Sequence, residues 1–129
     1  MPAAANDIDE IRELVQLYID GANGDVGKLQ QAFHADAQMM GHIGSMDTYM
    51  PIGEFFKLVE AQPGLAGPDY TAAIRTIDIS GDAGMAVLVE TDWMGCDFVD
   101  YFSVARIDGR WWITNKTYDH TGGEPPAQP

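Results

Sequence analysis

One cysteine, Cys96, stands in the whole chain, and that scarcity removes an internal disulfide framework and any Cys-rich zinc or iron-sulfur site. A reduced, cytoplasmic setting is the default that follows. Basic residues are also scarce. Seven Lys and Arg face 20 Asp and Glu, for a formal charge of -13, which opposes a phosphate backbone or an anionic membrane surface. Neither nucleic acid nor membrane is an expected partner. No apolar run approaches the span of a bilayer, and MPAAANDIDEIRE has neither the basic residues nor the apolar stretch of a signal peptide. The three histidines, His34, His42 and His120, fall on separate elements without metal-ligand spacing. GANGDVGK lacks the Gly-Lys-Ser/Thr ending of a phosphate loop, and there is no Gly-x-Ser-x-Gly stretch. No metal and no cofactor are expected.

What the chain does have is enough apolar residue, 46% of 129 positions, to build one core. Residues 7–120 read as a single domain between loose tails at 1–6 and 121–129. From Asp7 to Ala22, Ile8, Ile11, Leu14, Val15, Tyr18, Ile19 and Ala22 recur at helical spacing with the charged residues opposite. Asn6 or Asp7 caps this helix and the Gly21–Gly24 stretch ends it. A shorter helix restarts at Asp25 and buries Val26, Leu29 and Phe33. A short strand follows near 38–42, then a Gly/Ser loop. Pro51 opens a third helix whose Ile52, Phe55, Phe56 and Val59 share one side. Beyond AQPGLAGP the pattern turns to strands near 70–79, 84–93, 96–107 and 110–120, joined by short turns that imply an antiparallel meander. Helices first and a meander afterwards define an α+β domain with helices on one face of a sheet.

The stretch RIDGRWWITNK sets the register. If Asp108-Gly109 turns in two residues, Ile107 faces Arg110, and Arg106–Trp111, Val104–Ile113, Phe102–Asn115 and Asp100–Thr117 share a face. If Met94-Gly95 also turns in two, Val89 lies beside Asp100. That face is the apolar one, so Trp111 points inward and Trp112 outward. The other face then mixes Ala86, Leu88, Val99, Tyr101, Ala105, Trp112 and Tyr118 with Glu90, Asp92, Asp97 and Lys116. A surface of this kind suits a homodimer through the outer sheet face.

DYFSVARIDGRWWITNKTYDH, with FHADAQMMG and the PIGEFFKLV helix upstream, resembles the nuclear-transport-factor-2-like superfamily, within it the bacterial putative lumazine-binding and SnoaL-like group. The resemblance spans about Asp7 to His120. It implies a cystatin-like cone, a curved antiparallel sheet with about three N-terminal helices packed on its concave face and a pocket between them. It also implies dimers through the outer sheet. It does not select an activity, because the superfamily includes isomerases, dehydratases, polyketide cyclases and accessory domains.

Asp100 is the leading candidate site residue, since a carboxylate among apolar neighbours loses hydration and has its pKa pushed upward. It either anchors a ligand, moves a proton, or is a buried carboxyl satisfied by Asn115, Thr117 or Tyr18. In the superfamily's ketosteroid isomerases one Asp acts as base and a second, protonated Asp donates a hydrogen bond; this is an analogy that assigns Asp100 to neither role. His42, at the end of the first strand, is the second catalytic candidate, as an imidazole at the cone mouth. Tyr18, Phe55, Val89, Phe98, Phe102, Asn115 and Thr117 are the candidate pocket wall. Lys116 falls on the outer face. Three functions remain in view. The first is a binder of an apolar or ring-containing small molecule, with Asp100 as polar anchor. The second is a cofactor-free isomerase, dehydratase or cyclase using Asp100 as acid or base. The third is a dimerisation module whose cone is filled by its own side chains.

Overall fold

The structure, a computed structural model, describes residues 5–125. In chain order the elements are α1 (Ala5–Ala22), α2 (Val26–Ala32), β1 (Phe33–Ile43), β2 (Met46–Pro51), α3 (Ile52–Ala61), β3 (Ala66–Ser80), β4 (Ala83–Trp93), β5 (Cys96–Ile107) and β6 (Arg110–Gly123). The strands form one open sheet in the order β2-β1-β6-β5-β4-β3. The β1–β6 pair is parallel and the other neighbours are antiparallel.

The helices form where the apolar spacing puts them. Ile11, Leu14, Val15, Tyr18 and Ala22 of α1 are buried along one stripe, and Ile52, Phe55 and Val59 of α3 along another. Both stripes join the inward face of the sheet in a single core, where each fully buried Leu, Ile or Phe contributes about 1.5–3 kcal/mol. Asp25 caps α2 by accepting from the Lys28 amide at 3.3 Å, which satisfies one of the orphan donors of the first turn. Gly21 lets α2 approach α1, because a Cβ there would stand 2.6 Å from Leu29 Cγ. Asp7, in the first turn of α1, is tied to the β5–β6 hairpin by Arg106 Nη2 at 2.6 Å and by the Trp111 indole at 3.3 Å. That clamp fixes how α1 lies on the sheet, and with it where Tyr18 points.

Two expectations about the ends of the sheet change. Residues 46–50, expected within a loop, and Pro51, expected to open the third helix, form β2, an edge strand whose side chains are mostly exposed and whose apolar alternation is correspondingly weak. At the other end β6 continues through Thr121 and Gly122 to Gly123, which pairs with Cys96, so part of the expected tail belongs to the sheet. The expected tail residues 1–4 and 126–129 lie outside the described residues.

The register is the decisive correction. Both turns hold two residues as expected: Ile107 pairs with Arg110 and Trp93 with Cys96. Trp111 is buried in the core, and Trp112 is half-buried with the Arg110 guanidinium 3.6 Å from its ring centroid. Beyond the turns, however, the ladder slips. Val104 pairs with Ile113 but Ser103 pairs with Asn115, leaving Thr114 as an extra residue in β6. Glu90 pairs with Phe98 rather than with Val99, leaving Thr91 and Asp92 opposite Asp97 alone. Asp92 takes a positive φ of 57° there, and its amide donates to Asp97 Oδ1 at 3.0 Å. These are β-bulges, and each reverses which side of the sheet the following residues face. Phe102 therefore pairs with Lys116, Asp100 with Leu88 and Tyr118. Ala86, Leu88, Glu90, Lys116 and Tyr118 move from the expected outer face to the interior, and Val89, Asn115 and Thr117 move out, while Val87 turns to their side of the sheet and stays buried.

Candidate functional site

Between the sheet, α1 and α3 lies a cavity in which about 60 Å³ is open to the centre of a water molecule. One water needs about 10–15 Å³ on that measure, so the space holds several waters or a compact part of a ligand. Met39, Met50, Phe55, Trp93, Phe98 and Tyr118 make most of its wall. Thr48 and Tyr118 add hydroxyls to that wall, and three more deeply buried residues bring a phenol, a carboxyl and an ammonium to it: Tyr18 from α1, Glu90 from β4 and Lys116 from β6.

These groups are deeply buried. Glu90 is 2% exposed, Lys116 6%, and Asp100, behind them in β5, 1%. Lys116 Nζ donates to the Tyr18 hydroxyl at 2.7 Å and lies 4.0 Å from Asp100 Oδ2. Its ammonium sits 4.8, 5.1 and 5.0 Å from the ring centroids of Tyr18, Phe55 and Tyr118, a range in which the negative ring faces attract a cation. Tyr70 donates its hydroxyl to Glu90 Oε2 at 2.6 Å. Asp100 Oδ2 has no hydrogen-bond partner among the described residues.

The electrostatics follow from that burial. Loss of water pushes the Asp100 carboxyl well above the usual carboxylate range; the Lys116 ammonium opposes the rise, and the neighbouring Glu90 carboxyl reinforces it. Burial also pushes the Tyr18 hydroxyl up, aided by the charges of Glu90 and Asp100, so Tyr18 remains a neutral phenol that both accepts and donates. The Tyr70 hydroxyl is raised by burial and by Glu90. Two carboxyls close together in a dry site cannot both ionise cheaply, and one of them retains a proton.

The expected site residues divide. Tyr18, Phe55 and Phe98 line the cavity. Phe102 is buried but stands behind Tyr18, with ring centroids 4.8 Å apart, rather than on the cavity surface. Val89 faces outward because of the β4 bulge. Asn115 and Thr117 face outward because of the β6 bulge; Thr117 is exposed, and Asn115 is half-buried beside Gln38. His42 also points away from the cavity. Its side chain is 62% exposed and pairs with Asp47 at 3.3 Å across the β1–β2 hairpin, on an outer groove shared with Thr117, Met40 and Tyr49. His120 accepts from the Gly44 amide at 2.8 Å through Nδ1. Sequence reasoning missed Glu90, Lys116, Tyr118 and Tyr70. For Lys116 a signal was available: a carboxylate inside an apolar wall calls for a cation, and Lys116 is the nearest one in the paired strand. Among the described residues no three His, Cys, Asp or Glu side chains converge as a metal-binding group, and no helix is long and apolar enough to cross a membrane.

An α+β domain with three helices on a curved, unclosed six-stranded sheet, enclosing a cavity with buried ionisable groups on its wall, defines a nuclear-transport-factor-2-like protein. The pattern of the family described as "putative lumazine-binding" matches residues 6–119, and the chain belongs to that family. Among solved structures it is similar to an NTF2-like protein of unknown function from Methylobacillus flagellatus KT, at 26% identity and a TM-score of 0.84 over 93% of this chain and 96% of that one. An NTF-2 like protein of unknown function from Silicibacter pomeroyi DSS-3 is similar at 26% identity and a TM-score of 0.83, over 92% of this chain and 99% of that one. A ketosteroid isomerase-like protein from Erwinia carotovora atroseptica shares the fold at 14% identity and a TM-score of 0.69, over 92% of this chain and 99% of that one. No curated protein matches the chain.

The raised Asp100 carboxyl makes a testable statement about stability. Above the ordinary Asp value the unfolded chain has released a proton that the folded protein still holds at Asp100. The contribution of Asp100 is therefore fully present at low pH and is lost as pH climbs through its raised value. Urea midpoints of wild type and Asp100→Asn, measured from about pH 4 to about pH 8, should show wild type losing ground to the variant as pH rises. A gap that moves the other way would make Asp100 an ionised partner of Lys116.

Proposed function

We propose that this protein holds a small, mainly apolar molecule in the cone, with one polar group of that molecule against Lys116, Tyr18 and Glu90. Asp100 anchors the arrangement from beneath, setting the charge of the cluster without touching the ligand. The observation that carries this reading is the burial of Tyr18, Glu90 and Lys116 on the wall of a mainly apolar cavity that retains open space, with Asp100 buried behind them. A cone serving only as a dimerisation core would gain more from apolar filling there, since burying a charged pair is often no better than packed hydrophobes. Membership of a family described as lumazine-binding agrees with a flat ring-shaped guest bearing carbonyl and N–H groups. The test is native mass spectrometry of the protein as purified, followed by identification of what dissociates. Bound ligand should be lost in Lys116→Met and kept in His42→Ala. The reverse pattern would place the ligand in the outer groove instead.

A second reading, a cofactor-free isomerase, dehydratase or cyclase, is favoured by the two neighbouring carboxyls. Glu90 reaches the cavity and suits a base, while Asp100 keeps a proton and suits a hydrogen-bond donor. Asp100→Asn would then abolish turnover of a bound ketone while leaving its binding intact; unchanged turnover would remove Asp100 from the chemistry.

The outer sheet face, where Val89, Val99, Tyr101, Ala105 and Trp112 remain at least partly exposed, is where we place a second copy of the chain. Tyr101 is the exposed large residue of that patch, with Arg75 donating to its hydroxyl at 2.9 Å. In sedimentation velocity the wild type should run as a dimer and Tyr101→Glu as a monomer. A monomeric wild type at micromolar concentration would contradict the assignment.

A further inference from the structure

Lys116 is the one lysine of three that lies inside the molecule. Lys28 and Lys57 spend their charge at the surface, on Asp20 at 3.1 Å and Glu54 at 3.3 Å. A lysine kept only as a counter-ion for Asp100 would close to a charge-assisted hydrogen bond of about 2.7–2.9 Å. Lys116 instead stops at 4.0 Å from Asp100 Oδ2 and bonds a neutral phenol, Tyr18, while its end faces the open space of the cavity. Its nitrogen is thus a buried nucleophile with an unpartnered carboxyl oxygen beside it, a hydroxyl in contact and apolar walls in front.

The geometry points to carbonyl capture: Lys116 condenses reversibly with a small apolar aldehyde or ketone to form an iminium ion in the cone. This rests on the cavity being a small-molecule site, and it names the class of molecule that the site takes. The chemistry closes without an oxidant, a reductant or a cofactor. The Lys116 ammonium passes one proton to the Asp100–Glu90 carboxyl pair, which holds a single proton at rest, and the freed amine attacks the carbonyl carbon, forming the C–N bond as the carbonyl π pair moves to oxygen. A second proton moves from nitrogen to that oxygen, through the Tyr18 hydroxyl, giving the carbinolamine. The carboxyl pair returns a proton from Asp100 through the Tyr18 hydroxyl to the carbinolamine hydroxyl, the C–O bond breaks, water leaves, and the nitrogen lone pair closes the C=N bond. Carbonyl compound and ammonium become iminium and water, and both Asp100 and Tyr18 end as they began. Burial favours the protonated form of Asp100 that the second half of the sequence uses. The iminium remains ringed by Tyr18, Phe55 and Tyr118, which already surround the ammonium, and an apolar wall slows the return of water.

Benzaldehyde with cyanoborohydride tests this on the folded wild type, because hydride delivered to the imine carbon fixes a benzyl group on the reacting nitrogen. Peptide mapping then ranks the three lysines, and the two exposed ones serve as internal controls. Lys116 should acquire the label at least about tenfold faster than Lys57 or Lys28 despite its burial, as preorganised reactants do. Benzyl alcohol, alike in shape but without a carbonyl, should slow labelling of Lys116 alone. Asp100→Asn should slow labelling of Lys116 by at least about tenfold while benzyl alcohol still raises its melting temperature. Label on Lys28 and Lys57 with Lys116 spared overturns carbonyl capture. In that case a melting temperature raised by benzyl alcohol keeps the small-molecule cavity, and an unchanged one removes both.

Discussion

Two bulges, Thr114 in β6 and Thr91–Asp92 in β4, decide what the cone contains. Strand side chains alternate with a period of two, so one extra residue exchanges the inner and outer sets for everything beyond it. Without the bulges Asp100 would face Val89 and Thr117, a carboxylate in an apolar wall with no cation in reach. The effective penalty for burying such a charge is several kcal/mol. With them, Lys116 and Glu90 turn inward and Asp100 gains both a counter-charge and a neighbour with which to share a proton. The bulges also bend the strands, so the same local slips help to shape the cone and to furnish its closed end.

The helices complete the site rather than define it. Tyr18 reaches Lys116 because α1 is pinned at its start by Asp7 to Arg106 and Trp111. This links Trp111, buried by the Asp108-Gly109 turn, to the position of a phenol at the other end of the helix. Phe55 from α3 and Tyr118 from β6 then close the ring of aromatic faces around the ammonium. The result is a charge cluster held by contacts from α1, α3, β4, β5 and β6, which presents Lys116 and Glu90 to the cavity.

Much of this was legible in the chain. Helical spacing located α1, α2 and α3, the two-residue turns located both hairpins, and the paired tryptophans took the sides that the Asp108-Gly109 turn requires. Asp100 inside followed from its own strand, whose alternation of Phe98, Asp100, Phe102 and Val104 is unbroken. The failures sit beyond the bulges. Turn geometry fixes a register only until an extra residue intervenes, and neither Thr114 nor Thr91–Asp92 carries the glycine that would flag a bulge. Val89, Asn115 and Thr117 were therefore placed inside, and Glu90, Lys116 and Tyr118 outside. The edge strand β2 was lost for a different reason: an edge with mostly exposed residues has no apolar alternation to read. His42 shows the limit of position along a strand as a guide, since its parity directs it to Asp47 and solvent.

The inward turn of Lys116 is the claim on which the site depends, and the protein's three lysines allow a direct measurement. In NMR spectra of protein carrying 13C-labelled lysine, the account predicts two side-chain methylene sets near ordinary positions. The third, from Lys116, should be displaced by the Tyr18, Phe55 and Tyr118 rings, show contacts to their protons, and exchange its ammonium hydrogens slowly. Three equivalent, fast-exchanging lysines would contradict it, returning Lys116 to the outer face and leaving Asp100 alone in the cone.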